Sequence, residues 1–237
     1  MKQIPLAIGP EPAPRFDNFV AGANAAALQH LQTLAMPAAP VYLWGPPGSG
    51  KTHLARALAA QCQARGRVAA WFDAAAPLPW ELPPAAALAV IDRCERLDAT
   101  AQHAAFGLFV EAATQGVQIV AAGRLPPVDL PLRDDLRTRL AWGHVFAVEP
   151  LTEAQTRAVL RREADHRGIF LSDDVMRHLL THFERDLSHL MHLLDRIDRF
   201  ALARARPVTV PLLRQMLQEE AAAGADDEAA DCGARAR

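Results

Sequence analysis

Up to about residue 148 the chain alternates between short apolar runs and longer stretches whose apolar residues recur every three or four positions. Val41-Tyr42-Leu43-Trp44, Val68-Ala69-Ala70-Trp71-Phe72, Ala87 to Ile91, Val117 to Ala122 and Val145 to Val148 lack the polar alternation of a half-exposed strand. Runs of this kind predict strands buried on both faces. Residues 23–34, 53 to about 66, 100–114 and 132–140 have the Ala, Leu and charged content of helices. Strand and helix in alternation predict an α/β fold, a parallel sheet sandwiched by helices.

From Glu149 the pattern changes to helices alone. Thr152 is placed to cap a helix with Gln155 at the capping-box position, and Gly168 to stop it after about Arg167. Ser172 or Asp173 begins a second helix, and Leu187 to about Ala203 forms a third with Leu190, Leu193, Leu194 and Ile197 at helical spacing. Pro211 opens a fourth in its first turn. The reading is therefore an α/β domain over 16–149 and a small helical domain over 150–220. Flanking these, 1–15 is a proline-interrupted N-terminal tail expected to be flexible, and 221–237 an Ala-, Gly- and charge-rich tail expected to be disordered.

Between the first strand and the helix after it lies Gly45-Pro46-Pro47-Gly48-Ser49-Gly50-Lys51-Thr52, which fits the G-x-x-x-x-G-K-[ST] phosphate-binding pattern at every defined position. Glycines at 45, 48 and 50 let successive amides converge on an anion, and the helix N-terminus beyond adds its positive dipole end. Lys51 supplies a full charge to the β- and γ-phosphates, Ser49 lines the loop, and the Thr52 hydroxyl is placed for Mg²⁺. The run Ala87 to Ile91 closes on Asp92, which a strand would deliver to the sheet edge where nucleotide sits. ADP or ATP with Mg²⁺ is the expected cofactor, with Thr52 and Asp92 on the metal side.

Composition narrows the function classes. Lys and Arg number 25 against 27 Asp and Glu, a net −2, so no global positive field marks a dedicated DNA binder. Cys62, Cys94 and Cys232 are odd in number and far apart, which suits neither a disulfide framework nor metal-ligand spacing. The N-terminus lacks a signal-peptide core and no apolar run nears the roughly 18 residues of a membrane span, so a soluble cytoplasmic protein is expected. His178, His182, His189 and His192 have helical spacings but no acid or Cys partners in a ligand pattern, and read as surface residues. In the tail, Gln3-Ile4-Pro5-Leu6-Ala7-Ile8 puts an amide ahead of apolar Leu6 and Ile8, a shape suited to docking as an extended peptide. Phe16 and Phe19, before the first helix, suit either packing beside a nucleotide base or the core.

Phosphate loop, strand-end acid, α/β core and small helical domain together resemble the AAA+ proteins, and within them the DnaA-like family with its short regulatory Hda-type relatives. The resemblance covers roughly 1–219 and rests on Phe16-Asp17-Asn18-Phe19-Val20, Tyr42-Leu43-Trp44-Gly45, Arg139-Leu140-Ala141-Trp142-Gly143 and Arg185-Asp186-Leu187. It implies that the helical domain is a nucleotide lid. It implies that Arg139 is an arginine finger acting in trans, that Arg185 is the lid arginine touching bound nucleotide, and that Gln3, Leu6 and Ile8 bind the sliding clamp (the β subunit of DNA polymerase III). The function so implied is negative regulation of replication initiation. The protein would act from the clamp on DNA and stimulate hydrolysis of ATP bound to its partner DnaA.

Two positions depart from the family pattern. Asp92 is followed by Arg93, where a second acid would position the attacking water, and Glu95 is not assigned that role. The fourth strand ends in Arg124, where a polar sensor residue is usual. Intrinsic hydrolysis is therefore not expected, while nucleotide binding is. The last helix ends near Glu219, leaving no room for a DNA-reading domain, which favours a regulator. An autonomous AAA+ ATPase of the helicase-loader type and a nucleotide-independent interaction module are the alternatives. ADP against ATP and self-association as a homo-oligomer stay open from sequence.

Overall fold

The computed structural model describes residues 13–183 and 186–219. They divide into two compact units after Leu151. The first contains α1 (Ala25–Thr33), β1 (Val41–Trp44), α2 (Lys51–Ala64), β2 (Val68–Phe72), β3 (Ala86–Ile91), α3 (Ala99–Gln115), β4 (Gln118–Gly123), α4 (Asp134–Ala141) and β5 (His144–Ala147). Single 3₁₀ turns at Cys94–Arg96 and Pro127–Asp129 follow β3 and β4. The five strands form one parallel sheet in the order β2-β3-β4-β1-β5.

The unbroken apolar runs of β1, β3 and β4 are explained by burial on both faces, whereas the edge strands β2 and β5 are more exposed than the expected buried strands. Tyr42, Ala89, Ile91, Ile119 and Ala121 point into one core with Leu108, Phe109, Leu136 and Leu140 of α3 and α4. Their neighbours Val41, Leu43, Leu88, Val90, Val120 and Ala122 point into the other, with Leu31, Leu54 and Leu58 of α1 and α2. Successive side chains of a strand face opposite ways, so every position on the inner strands must be apolar. Gln118 is the buried exception: its amide accepts from Ala38 N at 2.7 Å and donates to the Ala39 carbonyl at 3.1 Å.

Boundaries shift where a side chain caps or pins the backbone. α1 starts at Ala25 because buried Asn24 is committed elsewhere, donating to the Glu149 carbonyl and accepting from the Glu149 amide, both at 2.8 Å. α3 starts at Ala99, one residue early, because Asp98 caps it by accepting from Ala101 N at 2.8 Å.

The second unit holds α5 (Glu153–His166), α6 (Asp173–His182), α7 (Leu187–Arg204) and α8 over 210–219. Thr152 and Gln155 form a reciprocal capping box at α5, and Ser172 caps α6. Thr209 caps α8, so Pro211 falls in its first turn, where a missing amide hydrogen costs nothing. Leu160, Met176, Leu179, Leu190, Leu193, Leu194, Ile197 and Leu213 form the core of this unit. Among the described residues no helix is long and apolar enough to cross a membrane.

Candidate functional site

The phosphate loop runs from the end of β1 to the start of α2. Gly45 has φ 153° and its N–H donates to the Gly123 carbonyl at 3.2 Å; an added Cβ would sit 2.1 Å from the Val148 carbonyl oxygen. Gly50 has φ 98° and lies under Phe19, whose Cε2 would be 2.6 Å from an added Cβ. Both positions therefore require glycine for conformation and for space. Gly48, also left-handed at φ 74°, completes the turn over buried Ser49. The loop runs directly into the N-terminus of α2, whose dipole end suits an anion. Lys51 folds over the loop, its Nζ donating to the Pro46 carbonyl at 2.7 Å and to the Ser49 hydroxyl at 3.2 Å.

Across the loop, Thr52 Oγ1 donates to Asp92 at 3.0 Å (Oδ2) and 3.3 Å (Oδ1). Asp92 stands one residue past β3, buried, its amide bonded to the Phe72 carbonyl at 2.9 Å. A hydroxyl and a carboxylate converging on one point are the hard oxygen donors that suit Mg²⁺. The loop, its lysine and this oxygen pair fit a nucleotide with its metal.

Phe19 and Phe16 pack partly buried against the core under α1 and α2, and the Phe19 ring lies 5.5 Å from that of His53 on α2. His53 Nε2 donates to the Arg15 carbonyl at 2.9 Å. Burial holds the His53 pKa below the ordinary histidine value; the bond to Arg15 opposes this and nearby Arg56 adds to it.

Arg93 and Arg124 each have an acidic partner. The Arg93 guanidinium is hydrogen-bonded to Asp73, and its amide donates to Asp92 at 2.9 Å. Asp73 is pushed up by burial, but the Ala75 amide and Arg93 outweigh this and hold its carboxyl below the usual range. Glu95, in the turn after β3, accepts from the Arg124 amide at 3.1 Å and pairs with Arg124 Nε at 3.5 Å. The carboxylate nearest to Asp92 in sequence is thus engaged by the residue that ends the neighbouring strand. Sequence reasoning did not find this pair, because it joins residues 29 apart through the order of β3 and β4.

Arg139 is exposed in the last turn of α4. On that helix Asp135 pairs with Arg133 at 2.6 Å and Asp134 with Arg137 at 2.5 Å. Arg139 pairs with neither and lies over the Phe106 ring of α3, 5.8 Å from its centroid. Phe106, Asp134, Asp135, Thr138, Arg139 and Trp142 line an open depression of about 520 Å³, with Trp142 72% exposed. Gly143 closes against the Pro40 carbonyl and His144 pairs with Val41, the first residue of β1. The phosphate loop follows the last residue of β1. Arg139 and the loop therefore stand at opposite ends of a strand roughly 13 Å long. The contribution of Phe106 comes from the packing of α3 on α4 and has no signal in the sequence.

On α6, His178 and His182 stack with ring centroids 4.1 Å apart, and no cluster of three or more candidate metal ligands occurs among the described residues. Arg185, Gln3, Leu6 and Ile8 lie outside the described residues.

Residues 153–217 match the family model for the lid domain of Hda, and residues 15–86 the model for IstB-like ATP-binding proteins. Domain III of the replication initiation protein DnaA from Thermotoga maritima shares the fold, with a TM-score of 0.70 at 19% identity over 88% of this chain and 98% of that one. The chain thus has the fold of DnaA domain III, and its second unit is similar to the lid domain of Hda. AMPPCP-bound DnaA from Aquifex aeolicus gives a TM-score of 0.62 at 19% identity, over 78% of this chain and 64% of its own. An uncharacterized protein of Haemophilus influenzae is 28% identical over 235 residues, 91% of this chain and 98% of its own.

Proposed function

We propose that this protein is a negative regulator of replication initiation: it holds an adenine nucleotide with Mg²⁺ and lends Arg139 in trans to ATP bound by DnaA. The observation that carries the reading is the placement of Arg139. Among the described residues it is the cation on α4 without an acidic partner, and it stands at the opposite end of β1 from the chain's own phosphate loop. A guanidinium so placed cannot serve its own nucleotide but is presented to a neighbour's. There it would stabilise charge spread over the transferring phosphoryl group, an effect of about 10³–10⁵ in rate.

The nucleotide held by the loop is structural. Gly45, Gly48, Ser49 and Gly50 cradle its phosphates, Lys51 supplies charge, and Thr52 and Asp92 take the Mg²⁺. Arg185, in the helical domain over 150–220, is the lid arginine of this reading. Slow turnover of the protein's own nucleotide follows from the engagement of Glu95 by Arg124 and from Arg93 at the water-positioning place. In the N-terminal tail, Gln3, Leu6 and Ile8 tether the protein to the sliding clamp, and so to DNA, in the cytoplasm.

The test measures turnover of DnaA-bound ATP with DNA-loaded clamp and either the wild type or Arg139→Ala. Loss of stimulation in the variant, with its own nucleotide affinity unchanged, supports the role; equal stimulation by both rejects it. Steady turnover by this protein alone, lost in Lys51→Ala, would instead establish an autonomous ATPase of the helicase-loader type.

A further inference from the structure

We propose that the helical layer formed by α1 and α2 docks on duplex DNA, with Arg56, Arg65 and Arg67 on the phosphate backbone and no dependence on base sequence. In the reading above the protein reaches DNA only through the clamp. This contact is direct and depends neither on the nucleotide loop nor on Arg139.

The charge of the chain is unevenly placed. Residues 18–72 contain no Asp or Glu, although the whole protein has 27 of them and a net charge of −2. All of α1, β1, α2 and β2 falls in this stretch. α1 and α2 cover one face of the sheet through Leu31, Leu54 and Leu58, so that cover carries no carboxylate, whereas the opposite one has Glu111 on α3 and Asp134 and Asp135 on α4. The carboxylates that bound the stretch are committed, Asp17 to Arg15 and Asp73 to Arg93, and Glu149 meets α1 through its backbone at Asn24. An acid-free layer makes a local positive field that the small net charge conceals.

Its arginines are open to solvent. Arg56, Arg65 and Arg67 are exposed and, among the described residues, none of them pairs with a carboxylate, whereas Arg93, Arg124, Arg133 and Arg137 of the same unit each do. Arg56, in the first half of α2, holds its guanidinium 5.7 Å over the Trp71 ring and so leans toward the edge strand β2. Arg65 and Arg67 flank Gly66 in the turn between α2 and that strand, and both of their amides bond to the Cys62 carbonyl, which fixes the turn. Arg56 and Arg65 are separated along the helix axis by about 13 Å at 1.5 Å per residue, close to the ~12 Å width of a major groove. Cations so spaced suit phosphates on the two strands that border one groove. Exposed Gln29, Gln32 and Gln63 on the same two helices add neutral donors of the kind that bond phosphate oxygens.

The surface suits a duplex better than a single strand. Single strands are held by bases stacked on open aromatic faces. Here Trp71 is partly buried with Arg56 over its ring, and Val68 is the large apolar side chain that these elements expose. Sequence-independent contacts of this kind are weak alone, with a Kd of about 10⁻⁴–10⁻⁶ M at physiological salt, and gain weight where a tether raises the local concentration of DNA.

Fluorescence anisotropy tests the contact, with a labelled duplex of about 20 base pairs, and a second of unrelated sequence, titrated with the full chain between about 50 and 200 mM salt. Three phosphate contacts give a slope of log affinity on log salt of about −2.7, a fall of about fortyfold over that range, alike for both sequences. Each of Arg56→Gln, Arg65→Gln and Arg67→Gln should weaken binding to both duplexes equally and reduce the slope by about 1. The triple Gln variant should lose salt-dependent binding, and the corresponding triple Lys variant, which keeps the charge, should retain most of it. No binding by the wild type at the lowest salt, or a triple Gln variant that binds as the wild type does, overturns the proposal. So does tighter binding of a single strand of the same length, which makes the ligand a single strand. Displacement of the duplex by poly-glutamate as readily as by unlabelled duplex overturns it too, and makes the occupant an acidic protein surface. The role of Arg139 is read separately, by turnover of DnaA-bound ATP.

Discussion

The Thr52 hydroxyl and the Asp92 carboxylate, 40 positions apart in the chain, meet at 3.0 Å. The contact joins the first turn of α2 to the end of β3 and leaves two hard oxygen donors facing the phosphate loop. Asp92→Asn keeps the shape and an acceptor for Thr52 but removes the charge. It is expected to weaken Mg²⁺-dependent nucleotide binding by about tenfold, about 1.4 kcal/mol, with little effect when the metal is chelated. Titrations with and without Mg²⁺ check this; equal loss in both conditions would take the metal away from Asp92.

Gly50→Ala should damage the loop through two causes at once. The residue has φ 98°, and a methyl there would meet Phe19 at 2.6 Å. A destabilisation of about 1–3 kcal/mol is expected from the strained backbone. Adding Phe19→Ala makes room without changing φ, so denaturant unfolding of the double variant should recover only part of the loss. Full recovery would show that crowding alone makes glycine necessary.

Phe106 holds Arg139 by its ring face. Phe106→Leu keeps an apolar residue of similar volume on α3 but removes the π face. The stimulation of DnaA-bound ATP turnover should fall by about threefold, the measure of an exposed cation–π contact. Nucleotide affinity of the protein itself should not change, and a fall in that affinity would mean that the substitution perturbs the fold.

His30 makes stability depend on pH. Its Nε2 is buried without a hydrogen-bond partner among the described residues, and its ring lies 4.3 Å from that of His144. Burial first, then the neighbouring His144, hold its pKa below the ordinary value. A folded pKa below the unfolded one means that the unfolded chain takes up the proton more readily. Stability is therefore full above about pH 6.5 and declines as the pH falls below it. His30→Phe should flatten that decline and, by removing an unsatisfied buried nitrogen, add about 1 kcal/mol at pH 7. Unfolding curves between pH 5 and 8 give both quantities, and an unchanged slope would clear His30 of the effect.

The strands, the main helices and the phosphate loop were legible in the sequence because each is specified by neighbours along the chain. A run such as Val41 to Trp44 declares burial on both faces, and Gly45 to Thr52 carries its chemistry in eight consecutive residues. Boundaries shifted where a side chain has a distant commitment, as Asn24 has to Glu149.

What the sequence alone determined was the α/β class, the helical second unit, the loop and the acid one strand later, since periodicity and local chemistry encode them. Tertiary structure decided the order β2-β3-β4-β1-β5, and with it everything that depends on which strand ends are neighbours. That order brings Glu95 to Arg124, Gly45 to Gly123, and Thr52 to Asp92. It also sets Arg139, over Phe106, at the far end of β1 from the loop. Such contacts join residues tens of positions apart, and a local pattern cannot say which distant carboxylate a given cation will meet.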